Sequence, residues 1–349
     1  MQMLPSLQSP RRRRGSFGFC TRSFRFGVGA VVWLSLLSAG ACNRAVMSEE
    51  TTVARFDALP CAAAMRHAEP AAVDEGLTSG EWVDDAALSR MLRDATDAFL
   101  AEGSGREVVS PEQLRRGLSR GQAAVEGLVE AGDADLDGAT LYEQAQRAVA
   151  LVGSAYKCPH CDNWHTDAAS GFFIAPGGVL VTNHHVVAAD RDGRRAMFAM
   201  LPDGRTFALA EVLAADAATD VAIVRVDPVD QHGSDAPIPA LPLAEASTTG
   251  QDAWVLSHPD GRYFALTKGI VSRRYLHHGQ RWMTVTADYA RGSSGGPVLD
   301  ARGRVIGLVS STNSVYYDTD DDRGPQNLQM VWKQCVPVEN VRALLAPAD

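Results

Sequence analysis

The spacing of apolar residues changes near residue 154 and divides the chain into a helical part and a β part. From there onward, apolar runs of four to eight residues alternate with turn sequences such as Pro176-Gly177-Gly178 and Asp203-Gly204. Short strands with tight turns and no helical periodicity between them are typical of an all-β sandwich or barrel. The pattern predicts eight strands, enough for one or two barrels: residues 171–174, 179–182, 196–201, 221–226, 253–257, 267–272, 282–287 and 305–310.

Apolar residues before the β part recur at the three- and four-residue spacing of amphipathic helices. In residues 84–101 the apolar stripe consists of Leu88, Met91, Leu92, Ala95 and Phe99. A second helix is indicated by Ser110, Pro111 and Gln113, which have the order of an N-cap, a first helical residue and a capping-box partner. We expect this helix to end near residue 132.

The capping-box spacing occurs once more, at Thr140 and Glu143, and predicts a third helix that continues through Ala150. Three short amphipathic helices form either a small bundle or a collar packed on a neighbouring domain. We therefore expect a small α-helical region over residues 83–152, followed by the β domain over residues 153–346.

The N-terminus has the features of an export signal. Six arginines and no acidic residue precede Cys42, and the apolar stretch from Phe26 to Ala41 is 16 residues long. This length is short for a membrane span, and the stretch ends in the small-x-small pattern Ala39-Gly40-Ala41 that signal peptidases cleave. We predict a signal peptide over residues 1–41 and a tether over residues 42–82.

Cys42 stands directly after the predicted cleavage site, in the sequence LSAGAC. This sequence is similar to a bacterial lipobox, although Ala39 occupies the position that is usually leucine. Lipidation of Cys42 would anchor the protein to a membrane, since three acyl chains bind firmly. Ordinary cleavage at the same bond would instead release a soluble protein. Both alternatives predict a periplasmic or cell-envelope location.

The charge of the chain excludes one broad class of function. The whole sequence has a formal net charge of −9, and without the six N-terminal arginines it has 27 basic and 42 acidic residues. Nucleic-acid binding requires a cationic surface that displaces counterions. We therefore expect no nucleic-acid partner.

Four cysteines follow Cys42, namely Cys61, Cys158, Cys161 and Cys335. Outside the cytoplasm they can form disulfides, and their pairing is not determined by sequence. Cys158 and Cys161 form a C-x-x-C motif with His165 close by, which is also a zinc-ligand pattern. We favour disulfides over structural zinc for this motif, and we expect no catalytic metal or other cofactor.

Three residues at strand ends have the chemistry of serine-dependent acyl transfer. His185 follows the strand at residues 179–182, Asp220 directly precedes the strand at 221–226, and Ser294 lies in the sequence GSSGGP. Such chemistry needs a hydroxyl, an imidazole that removes its proton and a carboxylate that orients the imidazole. The chain order His, Asp, Ser is that of the chymotrypsin arrangement.

The chain resembles trypsin-like serine proteases of the bacterial HtrA group over about residues 169–312. The resemblance lies in SGFFIAPGGVLVTNHHVV, TKGIVS and ARGSSGGPVLDARGRVIGLV. It implies two antiparallel six-stranded β-barrels with the active site between them, and protein or peptide substrates. It also implies that His185 is the general base, Asp220 its orienting carboxylate and Ser294 the nucleophile, with the N–H groups of Gly292 and Ser294 as the oxyanion hole. HtrA proteins usually continue into a PDZ domain, and we expect none before Asp349.

Asp288 lies six residues before Ser294, where trypsin-like enzymes place the carboxylate at the base of the P1 pocket. A buried carboxylate there favours arginine or lysine at P1. The alternative is a preference for small or apolar P1 residues.

These features predict an exported serine endopeptidase. Two other functions remain open: a catalytically silent protease fold that serves as a binding scaffold, with the helical region as its partner surface, and an envelope module that senses metal or redox state through Cys158 and Cys161.

Overall fold

A computed structural model describes residues 82–101, 108–158, 161, 163–189, 194–318 and 324–346. The predicted signal peptide, Cys42, Cys61 and the tether before Trp82 lie outside these residues. Within the described ranges, no helix has both the length and the apolar character needed to cross a membrane.

The first six strands form a closed antiparallel barrel in the order β1-β2-β3-β6-β5-β4. Both faces of most of these strands are buried, since one face fills the barrel and the other is covered by helices or by the second barrel. This arrangement explains the continuous apolar runs in the sequence. The strands are β1 (Val149–Lys157), β2 (Trp164–Ala175), β3 (Val179–Thr182), β4 (Arg194–Met200), β5 (Thr206–Asp216) and β6 (Val221–Val226).

A second closed antiparallel barrel follows, in the order β10-β11-β12-β9-β8-β7. Each of the eight predicted strands overlaps an observed strand, and the expected pair of six-stranded barrels is confirmed. The strands are β7 (Asp252–Ser257), β8 (Ala265–His277), β9 (Gln280–Val285), β10 (Pro297–Leu299), β11 (Val305–Asp318) and β12 (Gln326–Pro337).

Helix α1 (Asp85–Leu100) packs on the first barrel through its predicted apolar stripe. Asp84 caps the helix, because its Oδ1 accepts a hydrogen bond from the backbone N–H of Ala87 at 2.8 Å. Near the other end, the ring of Phe99 stacks on that of Phe198 with centroids 5.1 Å apart. The helical region is therefore a collar on the barrel and not a separate bundle.

Helix α2 (Pro111–Arg116) has the predicted capping box. The N–H of Gln113 donates to Ser110 Oγ at 3.2 Å, and the N–H of Ser110 donates to Gln113 Oε1 at 2.9 Å. The prediction that this helix ends near residue 132 is wrong, because α2 ends at Arg116 and residues 120–137 contain no helix. Glycines after Arg116, each costing about 1 kcal/mol in a helix, explain the early end: they are Gly117, Gly121, Gly127 and Gly132.

Helix α3 (Gly138–Gln146) begins at a different cap from the one predicted. Asp137 is the N-cap, and its Oδ1 accepts from the N–H of Thr140 at 2.9 Å. The helix ends before Ala150, because β1 begins at Val149 and pairs with β2 and β4. Residues 149–152 thus belong to the first barrel and not to the helical region. Two short helices, α4 (His184–Ala188) and α5 (Val338–Ala343), complete the fold.

Phe99→Ala should destabilise the protein by about 3–5 kcal/mol, since it removes a buried ring from the contact between the collar and the barrel. Urea unfolding of the Ser294→Ala protein, with and without the second substitution, measures this loss. Trp82→Ala is the control, because the Trp82 side chain is exposed. A loss below about 1 kcal/mol for Phe99→Ala would contradict the close packing described here.

Candidate active site

His185 and Asp220 are brought together by the pairing of β3 with β6. His185 lies in α4, which begins two residues after β3, and Asp220 directly precedes β6. The register pairs Thr182 with Ala222, so the two strand ends lie side by side. His185 Nδ1 is 3.0 Å from Oδ1 and 2.9 Å from Oδ2 of Asp220, and the His185 backbone N–H donates to Oδ1 at 3.1 Å.

The backbone of Asp220 has a left-handed conformation, with φ of 56°. This conformation costs a non-glycine residue about 1–2 kcal/mol, so it persists only where contacts hold it. One such contact comes from Asn183, whose Nδ2 donates to the Asp220 carbonyl at 3.0 Å. The strained turn directs the carboxylate back toward His185 and away from the axis of β6.

Ser294 lies in the turn before β10 and is joined to the other two residues through Ser310. The Ser294 hydroxyl donates to the Ser310 carbonyl at 3.2 Å, and the Ser310 hydroxyl donates to Asp220 Oδ2 at 2.6 Å. Sequence analysis missed Ser310, which ends an ordinary apolar run. Within the described part of the chain, no hydrogen bond joins Ser294 to His185, so the serine hydroxyl must leave the Ser310 carbonyl before it can donate to the imidazole.

The loop from Arg291 to Ser294 is held with two backbone N–H groups unused. The Arg291 carbonyl accepts from the N–H of Asp260 at 2.6 Å, and the Gly292 carbonyl accepts from Ser170 Oγ at 2.9 Å. Among the described residues, the N–H groups of Gly292 and Ser294 have no acceptor. They are therefore available to an anion that develops beside Ser294.

Gly292 is required by the geometry of this loop. Its φ is 92°, and a Cβ at this position would lie 2.4 Å from the His258 carbonyl oxygen. Any larger residue would have to displace the backbone on one side or the other. The glycine thus keeps its own N–H beside that of Ser294.

His258 lies under this loop and was not identified from the sequence, where it belongs to a turn. Its side chain is buried, its Nδ1 accepts from the N–H of Phe264 at 3.1 Å, and its own N–H donates to Ser170 Oγ at 3.3 Å. Burial lowers the pKa of His258 from 6.5 to about 4. The imidazole is therefore neutral near pH 7 and acts as a packed acceptor.

Asp288 does not have the buried position that the sequence suggested. Its side chain is 83% exposed, and its Oδ1 lies 2.6 Å from Lys333 Nζ. The neighbouring Tyr289 takes the buried position instead, with its hydroxyl 2.9 Å from the Ser311 carbonyl and 2.8 Å from the Gln334 carbonyl. Asp288 consequently faces solvent as half of an ion pair.

The sequence of this region matches known proteins. Residues 169–308 match the family model of the trypsin-like peptidase domain. HhoA of Synechocystis, named as a serine protease, is 32% identical over 166 residues, which are 45% of this chain and 40% of that protein. A DegP-like protein of Pseudomonas savastanoi pv. phaseolicola, named as a periplasmic serine endoprotease, is 34% identical over 147 residues, 40% of this chain and 28% of its own length.

Among solved structures, the HtrA-type protease AlgW with decapeptide superposes with a TM-score of 0.46 at 21% identity, covering 60% of this chain and 66% of that chain. The chain spans less than half the length of the curated relatives it matches. The matched residues 169–308 include His185, Asp220 and Ser294.

His258 should make the protein less stable as pH falls from 6.5 to 4. The unfolded chain binds a proton at its ordinary pKa near 6.5, whereas the folded state resists protonation down to about 4, so stability present above pH 6.5 is lost through this window. The contribution is about 3 kcal/mol.

The experiment compares urea unfolding of Ser294→Ala at pH 7 and pH 4 with that of the same protein carrying His258→Asn. Asparagine keeps an acceptor for the Phe264 N–H but does not titrate, so the pH dependence should decrease. His232→Asn, at an exposed histidine, should leave it unchanged. An equal pH dependence in all three proteins would show that His258 is not the source.

Proposed function

We propose that the chain is an exported serine endopeptidase that cleaves peptide bonds through an acyl-enzyme, because residues 169–308 match the trypsin-like peptidase family model and relatives over this region are named as serine proteases. The observation that carries this proposal is the chain of hydrogen bonds from His185 through Asp220 and Ser310 to Ser294. It supplies a base, an orienting carboxylate and a nucleophile in one network.

The contacts of His185 support a different proposed role for each of its ring nitrogens. Nδ1 faces both oxygens of the Asp220 carboxylate, so the proton of the neutral imidazole resides on Nδ1 and Nε2 is left as the acceptor. In the proposed reaction, Ser294 Oγ bonds to the peptide carbonyl carbon while its proton passes to Nε2. The carbonyl oxygen becomes an oxyanion that the N–H groups of Gly292 and Ser294 stabilise.

The remaining proposed steps release both products and restore the enzyme. The tetrahedral intermediate collapses, the peptide C–N bond breaks, and the amine leaves with the proton held on Nε2. Water then transfers a proton to Nε2 and attacks the acyl carbon, and the Ser294 ester is hydrolysed to free acid and enzyme. The Asp220 carboxylate stabilises the imidazolium that forms in each half of the reaction.

We place the enzyme in the periplasm or cell envelope. The arginine-rich, apolar leader supports export, and a relative is named as a periplasmic endoprotease. A lipidated Cys42 would hold the protein at a membrane, with residues 42–82 as the predicted tether. The mass of the mature N-terminus distinguishes acylated Cys42 from ordinary cleavage.

We propose a preference for small or apolar P1 residues over arginine or lysine, because Asp288 is exposed and already ion-paired. A basic P1 side chain would meet a carboxylate that already pairs with Lys333. Attraction by an exposed carboxylate that already has an ion-pair partner is weak because solvent screens it. Protein and peptide substrates with neutral P1 residues are therefore the proposed class.

Asp220→Asn should reduce kcat/KM by roughly 10⁴-fold while the fold is retained, because asparagine can hold the wrong tautomer of His185. Ser294→Ala should abolish acyl-enzyme formation. Cleavage of a peptide library measures the loss of kcat/KM, and labelling by a fluorophosphonate probe measures whether residue 294 still reacts as a nucleophile. Circular dichroism checks that each variant is folded.

Asp227→Asn is the control, since this residue lies in the turn after β6 and away from His185. Wild-type proteolysis by the Ser294→Ala protein would refute the assignment. A folded wild-type protein that neither labels nor cleaves would support the alternative, a protease fold that acts as a binding scaffold.

Asp288→Asn should leave the ratio of kcat/KM for arginine and valine P1 substrates within about twofold of the wild-type ratio, because the carboxylate is exposed and already paired with Lys333. Cleavage-site profiling of both proteins on one peptide library tests this. A large drop in cleavage after arginine and lysine would show that Asp288 does select basic residues.

A further inference from the structure

Three metal-ligating side chains converge at the loop end of the β1–β2 hairpin, and none of them belongs to the candidate catalytic residues. Cys158, Cys161 and His165 each offer one ligand atom, and the three atoms lie within 4.8 Å of one another. Cys161 Sγ is 3.1 Å from His165 Nε2. Around a tetrahedral zinc ion, two thiolates are about 3.8 Å apart and a thiolate and an imidazole nitrogen about 3.6 Å apart. The observed spacing needs only small rotations to match.

The strands hold these ligands in place before any ion binds. His165 pairs with Tyr156 across the ladder, and their rings stack with centroids 5.8 Å apart. Beyond the last pair of the ladder, the N–H of Cys158 donates to the Asn163 carbonyl at 3.2 Å, which fixes where the loop departs. The positions of the first cysteine and of the histidine are therefore set by backbone pairing.

We propose that Cys158, Cys161 and His165 bind one zinc ion, which clamps the hairpin between β1 and β2. Thiolate and imidazole donors select a soft or borderline ion, and zinc takes both in tetrahedral geometry. Binding deprotonates the two thiols and releases their protons to solvent, and water completes the fourth position. All three donors are half-buried, so an ion can reach them from solvent.

The convergence of His165 favours zinc over a Cys158–Cys161 disulfide. A disulfide would use only the two sulfurs, whereas the structure places the imidazole nitrogen at ligand distance as well. The proposed zinc site is also connected to the candidate active site through β2. This strand begins beside His165 and continues to Ser170, whose hydroxyl donates to the Gly292 carbonyl.

The test uses the full-length Ser294→Ala protein, reduced and freed of metal with a chelator. Titration with Co²⁺ should give one equivalent of tetrahedral cobalt with thiolate charge-transfer absorption, and Zn²⁺ should displace it stoichiometrically. Cys158→Ser and Cys161→Ser should each abolish the spectrum. His165→Ala should weaken binding at least about tenfold. His277→Ala, at an exposed histidine on β8, is the matched control and should bind normally.

X-ray absorption of the zinc-loaded protein keeps the test independent of variant folding. It should show two sulfur neighbours at about 2.3 Å and nitrogen or oxygen neighbours at about 2.0 Å. Failure of the reduced protein to bind Zn²⁺ or Co²⁺ would overturn the proposal, as would a shell without two sulfurs. A Cys158–Cys161 disulfide in the isolated protein, together with no metal binding after reduction, would establish the disulfide instead.

Discussion

Ser170 is the residue on which the geometry of the candidate active site depends. It belongs to β2 of the first barrel, yet its N–H donates to the Ser294 carbonyl at 2.8 Å and its hydroxyl to the Gly292 carbonyl at 2.9 Å. Its own carbonyl accepts from Thr182 Oγ1 at 2.8 Å, at the end of the strand that leads to His185. Ser170 thus fixes the position of the Ser294 loop of the second barrel relative to the strand of the first barrel that leads to His185.

The contact with Ser170 leaves no room for a side chain at Gly295. A Cβ on Gly295 would lie 2.2 Å from the Ser170 carbonyl oxygen, and the residue has φ of 84°. The close approach of the two barrels is thus possible only with a glycine directly after Ser294. One glycine before Ser294 and one after it allow two different close contacts. Gly292 lies against the His258 carbonyl, and Gly295 lies against the Ser170 carbonyl.

The sequence predicted the fold and the positions of His185, Asp220 and Ser294 because each of these rests on local signals. Strands, tight turns and a glycine-rich loop are recognisable within a few residues. The missed elements depend on distant partners. The sequence of β12 is mixed in polarity, and pairing with β11 and β9 makes it a strand. Ser310 and His258 have roles that only the closed barrels create.

The error at Asp288 has the same origin. Its spacing from Ser294 predicted which loop it occupies, but not which of two adjacent side chains is buried. The Tyr289 hydroxyl donates to two carbonyl groups on β11 and β12, and burial of its large ring is favourable. Burial of the Asp288 carboxylate would instead cost the free energy of removing a charge from water. Lys333 then pairs with the exposed carboxylate. The six-residue spacing from Ser294 carries no information on the burial of Tyr289 or on the ion pair between Asp288 and Lys333.

The helical collar contributes to the site through the loop under the nucleophile turn. The carboxylate of Asp85 in α1 accepts from the N–H of Tyr263 at 2.9 Å, and Ser89 Oγ lies 3.1 Å from the Tyr263 hydroxyl. Tyr263 is three residues from Asp260, whose N–H holds the Arg291 carbonyl. Because that carbonyl belongs to the same peptide unit as the Gly292 N–H, its hydrogen bond fixes the direction of one oxyanion donor. The collar is therefore a support of the candidate oxyanion hole and not merely a spacer before the barrels.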